Sequence, residues 1–126
     1  MVIVDTSVWI EFFKGNNPYY SKVLDLIENR AVRTIEPIFA ELLQGALTHK
    51  EKDFILKFWE YVEKVEDKNL ILNAGIFSFE NKLVSKGIKL IDACIIYSSI
   101  ENNCKIWTLD KKMLRFLDEG IIYNQN

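Results

Sequence analysis

An unbroken apolar, β-branched triplet, Val2-Ile3-Val4, predicts a short buried strand at the start of the chain. Asp5 interrupts the run, Thr6 and Ser7 follow, and Val8-Trp9-Ile10-Glu11-Phe12-Phe13 reads as the first turns of a helix. Asn17-Pro18 marks the next helix start, with Tyr20, Val23, Leu24 and Ile27 recurring at helical spacing until Asn29-Arg30. Ala31 to Ile35 predicts a second strand. Glu36-Pro37 opens a helix with the stripe Ile38, Phe39, Leu42, Leu43, Ala46, closing near Gly45. Glu51 to Val62 predicts a further amphipathic helix, with Phe54, Ile55, Phe58, Trp59 and Val62 on one face. Glu63 to Asp67 reads as a charged turn. A longer helix is expected after it, with the inward stripe Leu72, Ile76, Phe79 and Leu83 and a stop at Gly87. Leu90 to Asn103 is a helix apolar over much of its surface, Lys105 to Leu109 a strand, Lys111 to Leu117 a helix, and Gly120 to Tyr123 a last short strand.

Short strands alternating with helix pairs predict an α/β fold, a three-layer α/β/α sandwich around a mainly parallel central sheet. The length of 126 residues fits one domain, residues 1–126, with no room for a second full core. About half the residues, 49%, are hydrophobic, enough for a well-packed interior. A net charge of −2 argues against a broad basic nucleic-acid surface but leaves room for a local basic patch. Cys94 and Cys104 lie in apolar contexts without metal-type spacing and are expected as packed thiols in a reducing cytoplasm. No signal peptide is expected, because Asp5 and Glu11 break any apolar opening, and no run is long enough to cross a membrane. His49 is the only histidine, so a pair of histidine ligands within the chain is excluded; it is expected near the end of a helix, solvated or capping.

Four acidic residues sit where carboxylates are costly. Asp5 ends the first strand and Asp110 follows the strand Lys105 to Leu109. Glu41 borders the stripe of its helix, and Asp92 is embedded in Leu90-Ile91-Asp92-Ala93-Cys94-Ile95-Ile96. Taken singly each has an ordinary explanation: Asp5 and Asp110 as helix N-caps, Asp92 as a cap, Glu41 as the partner of a lysine. Taken together they are harder to dismiss, because burying an ionised carboxylate costs several kcal/mol unless it is compensated. If they converge, repulsion demands a raised pKa or a cation. An all-carboxylate site is hard and oxygen-rich, suited to Mg²⁺ or Mn²⁺ rather than zinc. Such sites bind phosphate oxygens, activate water and steady charge developing on phosphorus.

The motifs Val4-Asp5-Thr6-Ser7-Val8-Trp9-Ile10, Glu41-Leu42-Leu43-Gln44-Gly45, Ile91-Asp92-Ala93-Cys94-Ile95-Ile96 and Thr108-Leu109-Asp110-Lys111 together resemble the PIN-domain ribonucleases, and within them the VapC-type toxins of toxin–antitoxin pairs. Their order covers nearly the whole chain. The resemblance implies that Asp5, Glu41, Asp92 and Asp110 hold Mg²⁺ or Mn²⁺ and catalyse hydrolysis of RNA phosphodiester bonds. It implies that Thr6 or Thr108 assists by hydrogen-bonding a carboxylate, water or phosphate. It also implies a homodimer and a cognate VapB-like antitoxin whose tail blocks the site. Family members often continue the last motif with a further acid and a phenylalanine; here Lys111-Lys112-Met113 stands instead, which removes a fifth carboxylate.

An RNA substrate and an acidic chain are reconciled by a local positive rim drawn from Lys14, Arg30, Arg33, Lys86, Lys89, Lys111, Lys112 and Arg115, with Lys111 the cation next to a site acid. A haloacid-dehalogenase-like phosphatase would need a second aspartate at the position of Ser7, a receiver domain does not suit Glu41 on its helix, and no P-loop is present. The remaining alternative is a PIN-like interaction domain that has lost cleavage.

Overall fold

The structure, a computed structural model, describes residues 1–123. Its elements are β1 (Val2–Val4), α1 (Thr6–Phe13), α2 (Tyr19–Glu28), β2 (Val32–Thr34), α3 (Glu36–Gln44), α4 (His49–Tyr61), β3 (Glu63–Lys64), α5 (Leu70–Glu80), a 3₁₀ turn (Val84–Lys86), α6 (Leu90–Glu101), β4 (Lys105–Trp107) and α7 (Lys111–Phe116). The four strands form one all-parallel sheet in the order β3-β2-β1-β4. Val2 pairs with Val32 on one side and Lys105 on the other, so β1 is central and its three side chains are buried. Parallel crossovers are right-handed. The chain steps outward from β1 to β2 to β3, then returns across the sheet to β4, so α1–α4 and α5–α6 cover opposite faces. Most helix contacts follow this division: α1 packs on α2 and α3, α3 on α4, and α5 most extensively on α6, while α3 also touches α6.

The core under α1–α4 is aromatic. Trp9, fully buried, has ring centroids of Phe12, Phe13, Phe39 and Phe58 at 5.5, 5.6, 5.3 and 6.1 Å. α1 ends at Lys14, and Gly15 takes the left-handed φ of +74° that turns the chain toward α2. α2 starts at Tyr19 with Pro18 itself at the N-cap, not at the first helical position; Asn17, one residue earlier, accepts from Ser21 N and Ser21 Oγ through its side chain.

Several expectations need correction. Glu63–Lys64 is not only a turn but a two-residue edge strand beside β2; two charged residues give no strand signal, and the edge position tolerates them. His49 opens α4 rather than ending a helix. Thr48 is the N-cap, accepting from Glu51 N at 3.1 Å, while Glu51 reaches back to Leu47 N at 2.7 Å. Phe54 on α4 is half exposed, though its ring still packs against Phe13 and Phe58 at 5.7 and 5.3 Å. The stripe assigned to α5 faces outward: Leu72, Ile76 and Phe79 are 66%, 49% and 84% exposed, and only Leu83, beyond the helix, is buried. The inward face carries Ala74 and Ser78 instead. α5 also ends at Glu80, well before Gly87, whose φ of +76° closes the following 3₁₀ turn. Gly120 to Tyr123 makes an isolated bridge, Ile122 to Ile106, rather than a strand.

Candidate functional site

In the order β3-β2-β1-β4 the direction of winding reverses between β1 and β4. A crevice opens at such a switch point, beyond the carboxyl ends of the two strands. Asp5 follows β1 and Thr108-Leu109-Asp110 follows β4, so both proposed acids on loops lie at this place. Asp5 N donates to Trp107 O at 2.9 Å, pinning the two strand ends together.

Asp5 is 4% exposed. Its Oδ1 accepts from Thr6 N at 2.7 Å, and its Oδ2 accepts from Ser7 Oγ at 2.8 Å and Thr108 Oγ1 at 2.7 Å. Three donors offset the burial of this carboxylate. Thr6 Oγ1 donates to Glu41 Oε1 at 2.7 Å, drawing the half-buried glutamate of α3 to the start of α1. Asp110 N donates to Thr108 Oγ1 at 3.0 Å, and Leu109 N to Ser7 Oγ at 3.0 Å. Asp110 Oδ1 caps α7, accepting from Lys112 N and Met113 N at 2.8 and 3.4 Å. Asp5 and Asp110 are therefore helix N-caps and members of the crevice at once. Thr6 and Thr108 both donate their hydroxyl protons to carboxylates.

Asp92 lies on the first turn of α6 without a comparable set of donors. Its pKa is pushed up to about 6, by burial first and then by the negative charge of Asp5, Asp110 and Glu41; a backbone hydrogen bond from Lys89 opposes this in part. Asp92 thus feels the charge of each of the other three acids. Their oxygens do not close into a cage: among the described residues no group of three or more acidic, histidine or cysteine side chains stands ready-made around an ion. The carboxylates are instead held by hydroxyls and backbone N–H groups. The donor chemistry, all oxygen and mutually repelling, fits a hard divalent cation.

Lys111 stands apart, exposed at the first residue of α7 and sharing no hydrogen bond or ion pair with the acids. The wider rim is thinner than its sequence suggested. Arg33 is paired with Glu63 at 3.1 Å, Lys14 sits near Glu11 at 3.9 Å, and Lys86 lies over the Phe116 ring at 4.8 Å. Arg30 precedes β2 and so lies at the amino ends of the strands, the opposite end of the sheet from Asp5 and Asp110. Lys89, Lys111 and Lys112 remain beside the site in the chain. Sequence reasoning gave no role to Ser7, which touches both the first acid and the loop of the last. Its position two residues after a strand-end aspartate was the available signal.

Fold and site thus define an α/β protein with acidic residues placed around the switch point of a parallel sheet. The PIN-domain family model matches residues 2–118, and the chain belongs to that family. PIN domains are generally nucleases and usually use divalent metal ions. Similar solved structures include VapBC2 from Rickettsia felis, bound to a DNA fragment from its promoter (TM-score 0.71, 20% identity, 97% of this chain and 96% of that one). FitAcB from Neisseria gonorrhoeae matches with a TM-score of 0.60 and 17% identity over 91% of each chain. PAE2754 from Pyrobaculum aerophilum matches at 0.59 and 18%, over 96% of this chain and 81% of that one. No curated protein sequence matches the chain significantly.

Proposed function

We propose that this chain, as a single PIN domain, is a metal-dependent endoribonuclease of the VapC type. It hydrolyses RNA phosphodiester bonds in the cytoplasm and is neutralised by a cognate VapB-like antitoxin. The observation that carries the reading is the placement of Asp5, Glu41 and Asp110 around Asp92, whose pKa is pushed up to about 6 by burial first and then by the charge of those three. Such a concentration of negative charge is costly to maintain and is rationalised by a cation that relieves it. These four residues would hold Mg²⁺ or Mn²⁺, which when bound supplies positive charge to a phosphate and acidifies water. The chain's own contribution is orientation: the hydroxyls of Thr6, Ser7 and Thr108 and the N-terminus of α7 fix three of the acids before any ligand arrives. Lys89, Lys111 and Lys112 would meet the phosphate backbone. Support for a partner protein, whether antitoxin or a second copy in a homodimer, comes from the complexes solved for VapBC2 and FitAcB and from the large apolar residues left outside on α5. No helix among the described residues is long and apolar enough to cross a membrane.

The test is cleavage of a mixed cellular RNA pool by purified protein with Mg²⁺ or Mn²⁺, with EDTA, and beside Asp5→Asn. The wild type is expected to cut only with metal, and the variant to lose activity by about 100-fold or more, as for removal of a group that stabilises charge in a transition state. Metal-independent cleavage, or full activity in folded Asp5→Asn, would contradict the reading. No cleavage from folded, antitoxin-free protein would favour an interaction domain that has lost its chemistry.

A further inference from the structure

Ser7 is the second residue of α1, yet its hydroxyl does not serve that helix. It donates to Asp5 Oδ2 at 2.8 Å and accepts from Leu109 N at 3.0 Å, across 102 residues of sequence. The two bonds run through one oxygen, so each polarises the other. Leu109 lies between β4 and α7, where neither element supplies a partner for its N–H. Ser7 thereby ties the loop after β1 to the loop after β4, the two loops that carry Asp5 and Asp110.

The second consequence concerns Asp5. A carboxylate has about four acceptor sites, two on each oxygen. Ser7 and Thr108 fill both sites of Oδ2, and Thr6 N fills one of Oδ1. One site remains, on Oδ1.

We propose that Ser7 is a positioning residue for the metal site: with Thr108 it locks the Asp5 carboxylate so that a divalent ion is taken by Oδ1 alone, and it holds the Asp110 loop against it. The proposal rests on the metal-site reading above. Removing the Ser7 hydroxyl frees one site on Oδ2, lets the carboxylate turn, and releases the Leu109 loop. Groups that orient metal ligands in this way typically cost 10- to 100-fold in metal affinity when removed.

The experiment measures Mn²⁺ binding to the full chain by the paramagnetic resonance signal of free Mn²⁺, for wild type, Ser7→Ala, Ser7→Thr and Asp5→Asn. Amide exchange of Leu109 and melting temperature are recorded in EDTA. Ser7→Ala is expected to bind Mn²⁺ about 10-fold or more weakly, with Ser7→Thr close to wild type and the metal-free melting temperatures alike. The Leu109 amide should be protected in wild type and Ser7→Thr and exchange faster in Ser7→Ala. Wild-type affinity in Ser7→Ala, or a Ser7→Thr variant as weak as Ser7→Ala, overturns the proposal and leaves the metal site standing. Should Ser7→Ala fail to fold, an unprotected Leu109 amide in the wild type overturns it equally. Absence of Mn²⁺ binding in the wild type, or unchanged binding in Asp5→Asn, overturns the metal reading and this proposal with it.

Discussion

Asp92 and Asp5 show how one type of side chain acquires two characters from its surroundings. Asp5 is buried but accepts hydrogen bonds from three donors; Asp92 is held to about 6 by burial first and then by the negative charge of Asp5, Asp110 and Glu41. The consequence for stability has a definite sign. In the unfolded chain Asp92 loses its proton near its ordinary value of 3.8, whereas in the folded chain it keeps it to about 6. Between those values the native state binds more protons than the unfolded one, so this residue's contribution to stability falls as pH rises through that window and levels off above it. Asp92→Asn removes the effect. In EDTA the variant is expected to melt above wild type at pH 7.5, with the advantage shrinking by pH 4.5. An advantage that is the same at both pH values would contradict the assignment.

At the level of helices and strands, α5 is the instructive case. Its sequence, Leu70-Ile71-Leu72-Asn73-Ala74-Gly75-Ile76-Phe77-Ser78-Phe79, is apolar almost all round, so large residues at helical spacing suggested an inward stripe. The structure turns the small residues Ala74 and Ser78 inward instead. Small side chains let α5 lie close against α6, which also buries small residues, Ala93, Cys94, Ser98 and Ser99. Close approach over the whole helix outweighs burial of three large side chains, and periodicity alone carries no information about that choice. Accordingly Phe79→Ser is expected to change the unfolding free energy of the monomer by no more than about 0.5 kcal/mol, whereas Leu83→Ala should cost about 2–5 kcal/mol. Urea denaturation of both variants checks this; a large loss from Phe79→Ser would mean that the stripe faces inward after all. α4 supplies a case where the signal was present but not used. Thr48-x-x-Glu51 is a cap signature, and it places His49 at the start of the helix. Thr48→Ala should cost about 1 kcal/mol, measured in the same way. The other boundaries that matter for the site were legible because their signals are local. Val2–Val4 is a β-branched run cut by an acid, and Pro37 fixes the first turn of α3. β3 was not legible, since its two residues are charged and owe their strand geometry to β2.

Across the whole molecule, the four acids come from distant parts of the sequence: the reversal between β1 and β4 brings the loops of Asp5 and Asp110 side by side, Thr6 ties Glu41 to the start of α1, and Asp92 on α6 feels the charge of all three. Their candidacy was legible because each interrupts an apolar run. The resemblance also pointed to Thr6 and Thr108 as hydrogen-bonding a carboxylate, as both do; which acid each holds was not legible, because these bonds join residues 35 and 103 positions apart. On the proposed reading, a divalent ion bound by these acids stabilises the fold. At a free concentration about 100-fold above Kd, ligand linkage gives about 2.7 kcal/mol, a shift of several degrees in melting temperature. The decisive measurement is that shift on adding Mn²⁺ to the wild type and to Asp5→Asn, Glu41→Gln, Asp92→Asn and Asp110→Asn in turn. If the four acids act as one site, wild type gains several degrees and each variant loses most of the gain. A wild type that Mn²⁺ leaves unmoved, or a gain that survives in all four variants, would contradict the account.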